Sequence, residues 1–288
     1  MRLQANGLEL EVDVQGPANS EPVLLIMGPG MQLVAWPQAF VDLLVARGLR
    51  VIRFDNRDAG LSQGFDALGV PNMSVAALRY FLRMRVHAPY SVADMAADAL
   101  GVLDALGVQR AHVCGASMGG MIAQHLAARH PQRVKSLALM MTTSGSRRLP
   151  QARAHVQRAL LTRPDSSDPE RVVAHMERLL HLIGSPAYRP EPEAFRARLR
   201  ATVERAWRPA GSARQLVAVV ADGDRTPMLQ QIVAPTVVIH GREDPLVPPA
   251  CGEDLAHRIA GARIDLVPGM GHDLPDALLP RFAAALRI

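Results

Sequence analysis

The chain is predicted to be an α/β protein: a mostly parallel central sheet with helices on both faces, and a helical cap inserted late in the sequence. Three observations predict it. Short continuous apolar runs alternate with helical stretches, as parallel strands joined by crossover helices require. Gly115-Ala116-Ser117-Met118-Gly119 stands between one such run and the next helical stretch. From residue 145 to 228 the alternation gives way to helical patterns alone, and it resumes at Thr236.

Leu8–Val14 alternates apolar and polar residues, the period of a half-exposed strand. After the turn cluster Gly16–Ser20, Val23–Met27 is apolar throughout, as a strand covered on both faces is. It ends in Gly28-Pro29-Gly30-Met31. A helix is expected over about Pro37–Arg47, stopped by Gly48, and then a strand over Arg50–Phe54. Asp55–Ser62 is a polar loop in which Asp55 and Arg57 are read as hydrogen-bonding anchors rather than catalytic groups. A short helix is expected near Ser74–Arg85. Ser91, with Asp94 at the capping-box position, starts a helix that runs to Gly107. Ala111–Cys114 is a buried strand, Gly120–Ala128 a helix and Leu137–Met141 another buried strand. Cap helices are expected at Gln151–Leu161, Pro169–Leu182 and Glu191–Trp207. The strand Thr236–His240, a helix over 250–259, the strand Arg263–Val267 and a closing helix complete the chain. The core is thus residues 1–144 and 229–288, and the cap 145–228.

The 288 residues are 49% hydrophobic, enough for one large domain with an inserted lobe. No apolar run approaches the ~18 residues of a membrane span. The first residues lack the apolar stretch of a signal peptide, so a cytoplasmic location is expected. Cys114 and Cys251 are the only cysteines, and Cys114 is read as a small core residue rather than half of a disulfide. Net charge is +5 and Lys135 is the only lysine. Without a basic run or aromatic–basic interleaving, nucleic acid is not expected as a partner. The cap is rich in arginine from Arg147 to Arg214, Arg163 included. These side chains are either solvated helix faces or a field that steers an anionic substrate. A homo-oligomer is compatible with the composition.

The chemistry gathers at strand carboxyl ends. Ser117 lies in a G-x-S-x-G turn between strand and helix, where glycines two before and two after it relieve a close approach. Asp244 follows Thr236–His240 in Gly241-Arg242-Glu243-Asp244, and Glu243 is its weaker competitor. His272 follows the last strand in Gly271-His272-Asp273. Ser, acid and His in this order are the components of nucleophilic acyl transfer. The imidazole takes the hydroxyl proton, and the carboxylate fixes the imidazole tautomer. The remaining histidines, His240 among them, are read as packing or surface residues. No H-E-x-x-H pattern supports a metal site, and no cofactor is expected. Gly28-x-Gly30 with Asp55 loosely mimics a dinucleotide fingerprint. Leu33 stands at the third glycine position, though, and Pro29 lacks an N–H that a pyrophosphate would use.

Together, Gly115-x-Ser117-x-Gly119, Gly241-x-x-Asp244 and Gly271-His272, with a helical insert after Met141, resemble the α/β-hydrolase superfamily. Gly28-x-Gly30-Met31-Gln32, Asp55-Asn56-Arg57-Asp58 and Gly115–Gln124 resemble bacterial esterases of the aclacinomycin-methylesterase type. They are also similar to enol-lactonases and cofactor-free haloperoxidases. The resemblance implies a cofactor-free serine hydrolase of a small-molecule ester or lactone. Catalysis would rest on Ser117, Asp244 and His272, and the Met118 N–H would be one oxyanion donor. Lactone hydrolysis and perhydrolysis are the neighbouring alternatives, and a ligand-binding receptor on the same fold is a further one. The chain departs from the family at one point. The residue that would give the second oxyanion donor is Pro29, which has no N–H, and Gly30 is expected to replace it.

Overall fold

The computed structural model describes residues 1–162, 164 and 168–286. Arg163, cap residues 165–167 and core residues 287 and 288 lie outside them. In chain order the elements are β1 (Arg2–Ala5), β2 (Leu8–Gln15), β3 (Glu21–Ile26), α1 (Gln38–Ala46), β4 (Leu49–Phe54), α2 (Met73–Phe81), α3 (Val92–Ala105), β5 (Ala111–Ala116), α4 (Met118–Arg129) and β6 (Val134–Met140). Residues 145–228, the expected cap, contain α5 (Ala154–Leu161), α6 (Pro169–Ile183), α7 (Pro192–Arg205), α8 (Pro209–Asp222) and all but the last residue of α9 (Thr226–Leu229). The core resumes with β7 (Thr236–Gly241), α10 (Ala250–Arg258), β8 (Arg263–Val267) and α11 (Leu279–Ala285).

Among the described residues one eight-stranded sheet has the order β1-β2-β4-β3-β5-β6-β7-β8. β1 and β2 pair with their neighbours antiparallel, and every later pairing is parallel. Apolar side chains leave β3 on both faces. Leu24 and Ile26 join a core with α3 and α4, while Val23 and Leu25 join a second core with α1 and α11. Such two-sided burial is why the central strands read as uninterrupted apolar runs. α3 begins with a capping box: Ser91 Oγ accepts from Asp94 N–H at 3.1 Å, and Asp94 Oδ2 accepts from Ser91 N–H at 2.8 Å.

Three elements differ from expectation, the one-turn helix α9 among them. β1 was not expected, because four residues carry no readable period. Its signal is the turn: Asn6 and Gly7 have φ of 51° and 73°, the pair of left-handed residues that closes a two-residue hairpin. α8, also not expected, occupies a stretch the sequence leaves between Trp207 and the next strand, and it is the helix that grips the core.

Several cap arginines follow neither expected course. Arg214 is fully buried and forms a two-pronged ion pair with Asp58, both bonds at 2.8 Å. Arg205 bonds Asp55 at 2.8 Å, and buried Arg225 pairs with Asp222. On the surface, Arg196 and Arg200 share Glu170. Fully buried Arg214 and partly exposed Arg205 both tie residues 145–228 to the loop after β4. Asp55 also accepts from Leu33 N–H at 2.6 Å and Leu61 N–H at 2.9 Å, and Arg57 grips Asp98 at 2.6 and 2.7 Å. Both act as the loop anchors read from the sequence.

Candidate active site

Ser117 sits at the junction of β5 and α4 with φ 56° and ψ −119°, a strained conformation for a residue with a Cβ. Its surroundings make that conformation tenable. A Cβ on Gly115 would collide with the Gly119 carbonyl, and one on Gly119 with the Ile26 carbonyl. The Ser117 N–H donates to Met140 O at 2.9 Å, and its carbonyl accepts from Thr142 Oγ1 at 2.7 Å. The side chain is left half-buried at the carboxyl edge of the sheet. Met118 is the first residue of α4, so its N–H has no acceptor within the helix and lies at the positive end of the helix dipole.

Asp244 lies in the turn after β7 and is 4% exposed. Its Oδ1 accepts from the N–H groups of Leu246 (2.9 Å) and Val247 (2.8 Å), which fixes the carboxylate. Its Oδ2 accepts from His272 Nδ1 at 2.8 Å. That bond places the imidazole proton on Nδ1 and leaves Nε2 as an acceptor. Glu243, the competitor, is exposed and accepts from Gly269 N–H at 2.6 Å, so it braces the loop before His272. Glu243→Gln keeps an acceptor for the Gly269 N–H and is accordingly expected to hold kcat/KM for an ester within about threefold of wild type, as exposed substitutions usually do.

His272 is held from the cap. Its N–H donates to Ile183 O at 2.7 Å, at the end of α6. Ser185 Oγ donates to Asp273 and accepts from Gly271 N–H at 2.9 Å. Burial pushes the Asp273 carboxyl above the usual carboxylate range, against hydrogen bonds from Ser185. Among the described residues no hydrogen bond joins Ser117 Oγ to His272, and of Ser117 and Asp244 the structure pairs only Asp244 with His272.

His240, read as a packing residue, is completely buried behind Asp244. Its Nε2 donates to Val247 O at 2.8 Å and lies 3.5 Å from Asp244 Oδ2. Burial lowers its pKa, and the Asp244 charge and the bond to Val247 only partly oppose this. No sequence signal distinguished it from the other histidines.

Gly30 differs from expectation. Its N–H donates to Gln215 Oε1 of α8 at 2.6 Å and so is not turned to the nucleophile as a free donor. Gln215 is fully buried, and its Nε2 donates to Arg57 O at 2.6 Å. Gln32 Nε2, two residues on, satisfies the carbonyls of Thr202 (2.7 Å) and Ala206 (2.8 Å) at the end of α7. A small cavity of about 10 Å³, room for little more than a water, lies between this turn and the helices of residues 145–228. Gly30 and Gln32 line it from the core, and Met176, Val203, Trp207 and Ser212 from the cap. Ser117 is not among its lining residues. Among the described residues no group of three or more His, Cys, Asp and Glu side chains could hold a metal ion.

The family profile described as the alpha/beta hydrolase fold matches residues 21–276. The chain belongs to that family. Among this hydrolase's relatives is the rhodomycin D methylesterase of Streptomyces peucetius, 32% identical over 94% of this chain and 90% of the relative. Among solved structures it resembles the enol-lactonase of Burkholderia xenovorans LB400, 25% identical with a TM-score of 0.74 over 99% of this chain and 97% of that one. A hydrolase of Pseudomonas aeruginosa PA01 is 31% identical, with a TM-score of 0.74 over 99% and 96% of the two chains. No helix among the described residues of this hydrolase is long and apolar enough to cross a membrane.

Proposed function

We propose that this protein is a carboxylic ester hydrolase that works through an acyl-enzyme on Ser117, His272 and Asp244. The observation that carries the reading is the His272–Asp244 hydrogen bond of 2.8 Å, at strand carboxyl ends of the same sheet edge that carries a serine held at positive φ. Asp244 fixes the tautomer, so His272 Nε2 can take the Ser117 proton as Oγ attacks the ester carbonyl. The Ser117–His272 hydrogen bond closes in the substrate complex, as such contacts commonly do. The Met118 N–H meets the negative charge that develops on the carbonyl oxygen. His272 then gives its proton to the leaving alcohol. In the second half it activates a water, which releases the acid and frees Ser117.

The methylesterase relative supports a small-molecule ester as substrate. The fold similarity to an enol-lactonase supports a lactone as the second reading, on the same three residues. Residues 145–228 act in either case as a cap tethered to the core. The direct test is covalent labelling with a fluorophosphonate, followed by peptide mapping. The label is expected on Ser117, with protection by a slowly hydrolysed ester, and a stoichiometric label on another residue, or none, would sink the reading.

A further inference from the structure

Gly28-Pro29-Gly30-Met31 is a closed turn beside the nucleophile. The Met31 N–H donates back to Gly28 O at 3.3 Å, and Gly30 has φ of 69°. Proline at the second position and a left-handed glycine at the third are the marks of a type II turn. The turn touches Ser117: a Cβ on Gly28 would stand 3.3 Å from Ser117 Cβ and 3.7 Å from Oγ. Within the turn, each donor after Gly28 is missing or engaged. Pro29 has no N–H, Gly30 donates to Gln215, Met31 closes the turn and, beyond it, Leu33 donates to Asp55. α8 holds Gly30 on a second side as well, since a Cβ there would lie 2.5 Å from Ser212 Oγ. Gln215 is fixed at both ends of its amide, so it does not release Gly30 by a simple rotation.

We propose that Pro29 and Gln215 together leave this enzyme an oxyanion hole with one backbone donor, the Met118 N–H, and that Pro29 thereby sets its specificity toward acyl groups with good leaving alcohols. The inference rests on the Ser117 mechanism above. Esters of acidic alcohols have an electrophilic carbonyl and an early transition state with little charge on oxygen, so a second donor matters less to them. Esters of simple alkanols build up more charge on that oxygen and suffer most from its absence.

The test is the Pro29→Ala variant, which restores an N–H while keeping a turn that most residues accept. Acylation is read as kcat/KM for the acetate esters of p-nitrophenol, phenol, trifluoroethanol and ethanol. Since one donor is worth on the order of 10²–10³ in rate, ethyl acetate is expected to gain about tenfold or more, and p-nitrophenyl acetate to change by less than about threefold. The dependence on leaving-group acidity thus becomes shallower. Pro29→Leu repeats the measurement should Pro29→Ala lose the wild-type circular dichroism. Unchanged rates, a loss, or one uniform factor across the four esters overturns the proposal. Ser117→Ala run alongside separates the two failures. If it abolishes turnover while Pro29→Ala leaves the series unchanged, only the one-donor inference falls. If turnover persists in Ser117→Ala, the Ser117 mechanism falls too.

Discussion

Replacing Ser117 with Ala is expected to lower kcat for ester hydrolysis by on the order of 10⁶, the scale on which loss of a serine nucleophile acts. The change removes one hydroxyl from a half-buried position whose backbone is held by Met140 O and Thr142, so the fold should be retained. Any stability change should be a gain, if there is one at all, because no new buried group is left without a partner. The residual rate would report what the Met118 N–H and substrate binding supply without a covalent step. Pre-steady-state kinetics with p-nitrophenyl acetate would check both parts. Wild type should give a burst of nitrophenolate equal to the enzyme concentration, and the variant none. A burst in Ser117→Ala would place the nucleophile elsewhere.

Replacing Arg214 with Met is expected to cost about 3–5 kcal/mol of stability, because it strands a buried carboxylate. Asp58 accepts two bonds from Arg214, one from Tyr90 Oη at 2.7 Å and one from Phe65 N–H at 2.8 Å, and its side chain is fully buried. Burial works to raise the Asp58 pKa, but the hydrogen bonds from Arg214 and Tyr90 overcome it and hold the carboxyl below its usual range. The sign of the pH dependence follows. A folded-state pKa below the unfolded value of about 3.9 gives a contribution that is complete above that pH. It is lost as the pH falls through the folded-state pKa. In urea titrations the gap between wild type and Arg214→Met should therefore be full at pH 7 and shrink below about pH 4. Adding Asp58→Asn to Arg214→Met should recover part of the loss at pH 7, since the stranded charge is gone. A gap that stays constant down to pH 3 would show that Arg214 acts through packing alone.

The same tethers decide how the cap behaves. α6 holds the His272 loop through Ile183 O and Ser185, α7 is closed by Gln32, and α8 holds Gly30 and Asp58. Each contact joins an element of the site to a helix 85 or more residues away in sequence. A substitution deep in the cap, such as one at Ser185 or Gln215, can thus disturb the active site without touching a substrate.

What could be read from the chain alone follows from how local the physics is. The two-sided burial of β3, β5 and β7 shows as apolar runs, and the capping box at Ser91 needs only four residues. The turn at Ser117 shows itself because steric relief at Gly115 and Gly119 is a matter of residues two apart. The Ser, Asp and His candidates could be named because strand ends in a parallel sheet collect on one edge. Asn6-Gly7 likewise carries the local signal of the β1 hairpin, although the strand itself is too short to show a period.

Tertiary structure alone decided the rest. It separated Asp244 from Glu243, since both follow β7 and only their partners, His272 and Gly269, tell them apart. It set His240 behind Asp244, and it turned Arg214 into a buried anchor and Arg205 into a partly exposed one. The Gly30 N–H went to Gln215, 185 residues later in the chain. A hydrogen bond across that distance leaves no period, spacing or composition for a sequence to carry. It exists only because the sheet edge and α8 converge in space, and that convergence makes Pro29 the residue on which the reaction's selectivity turns.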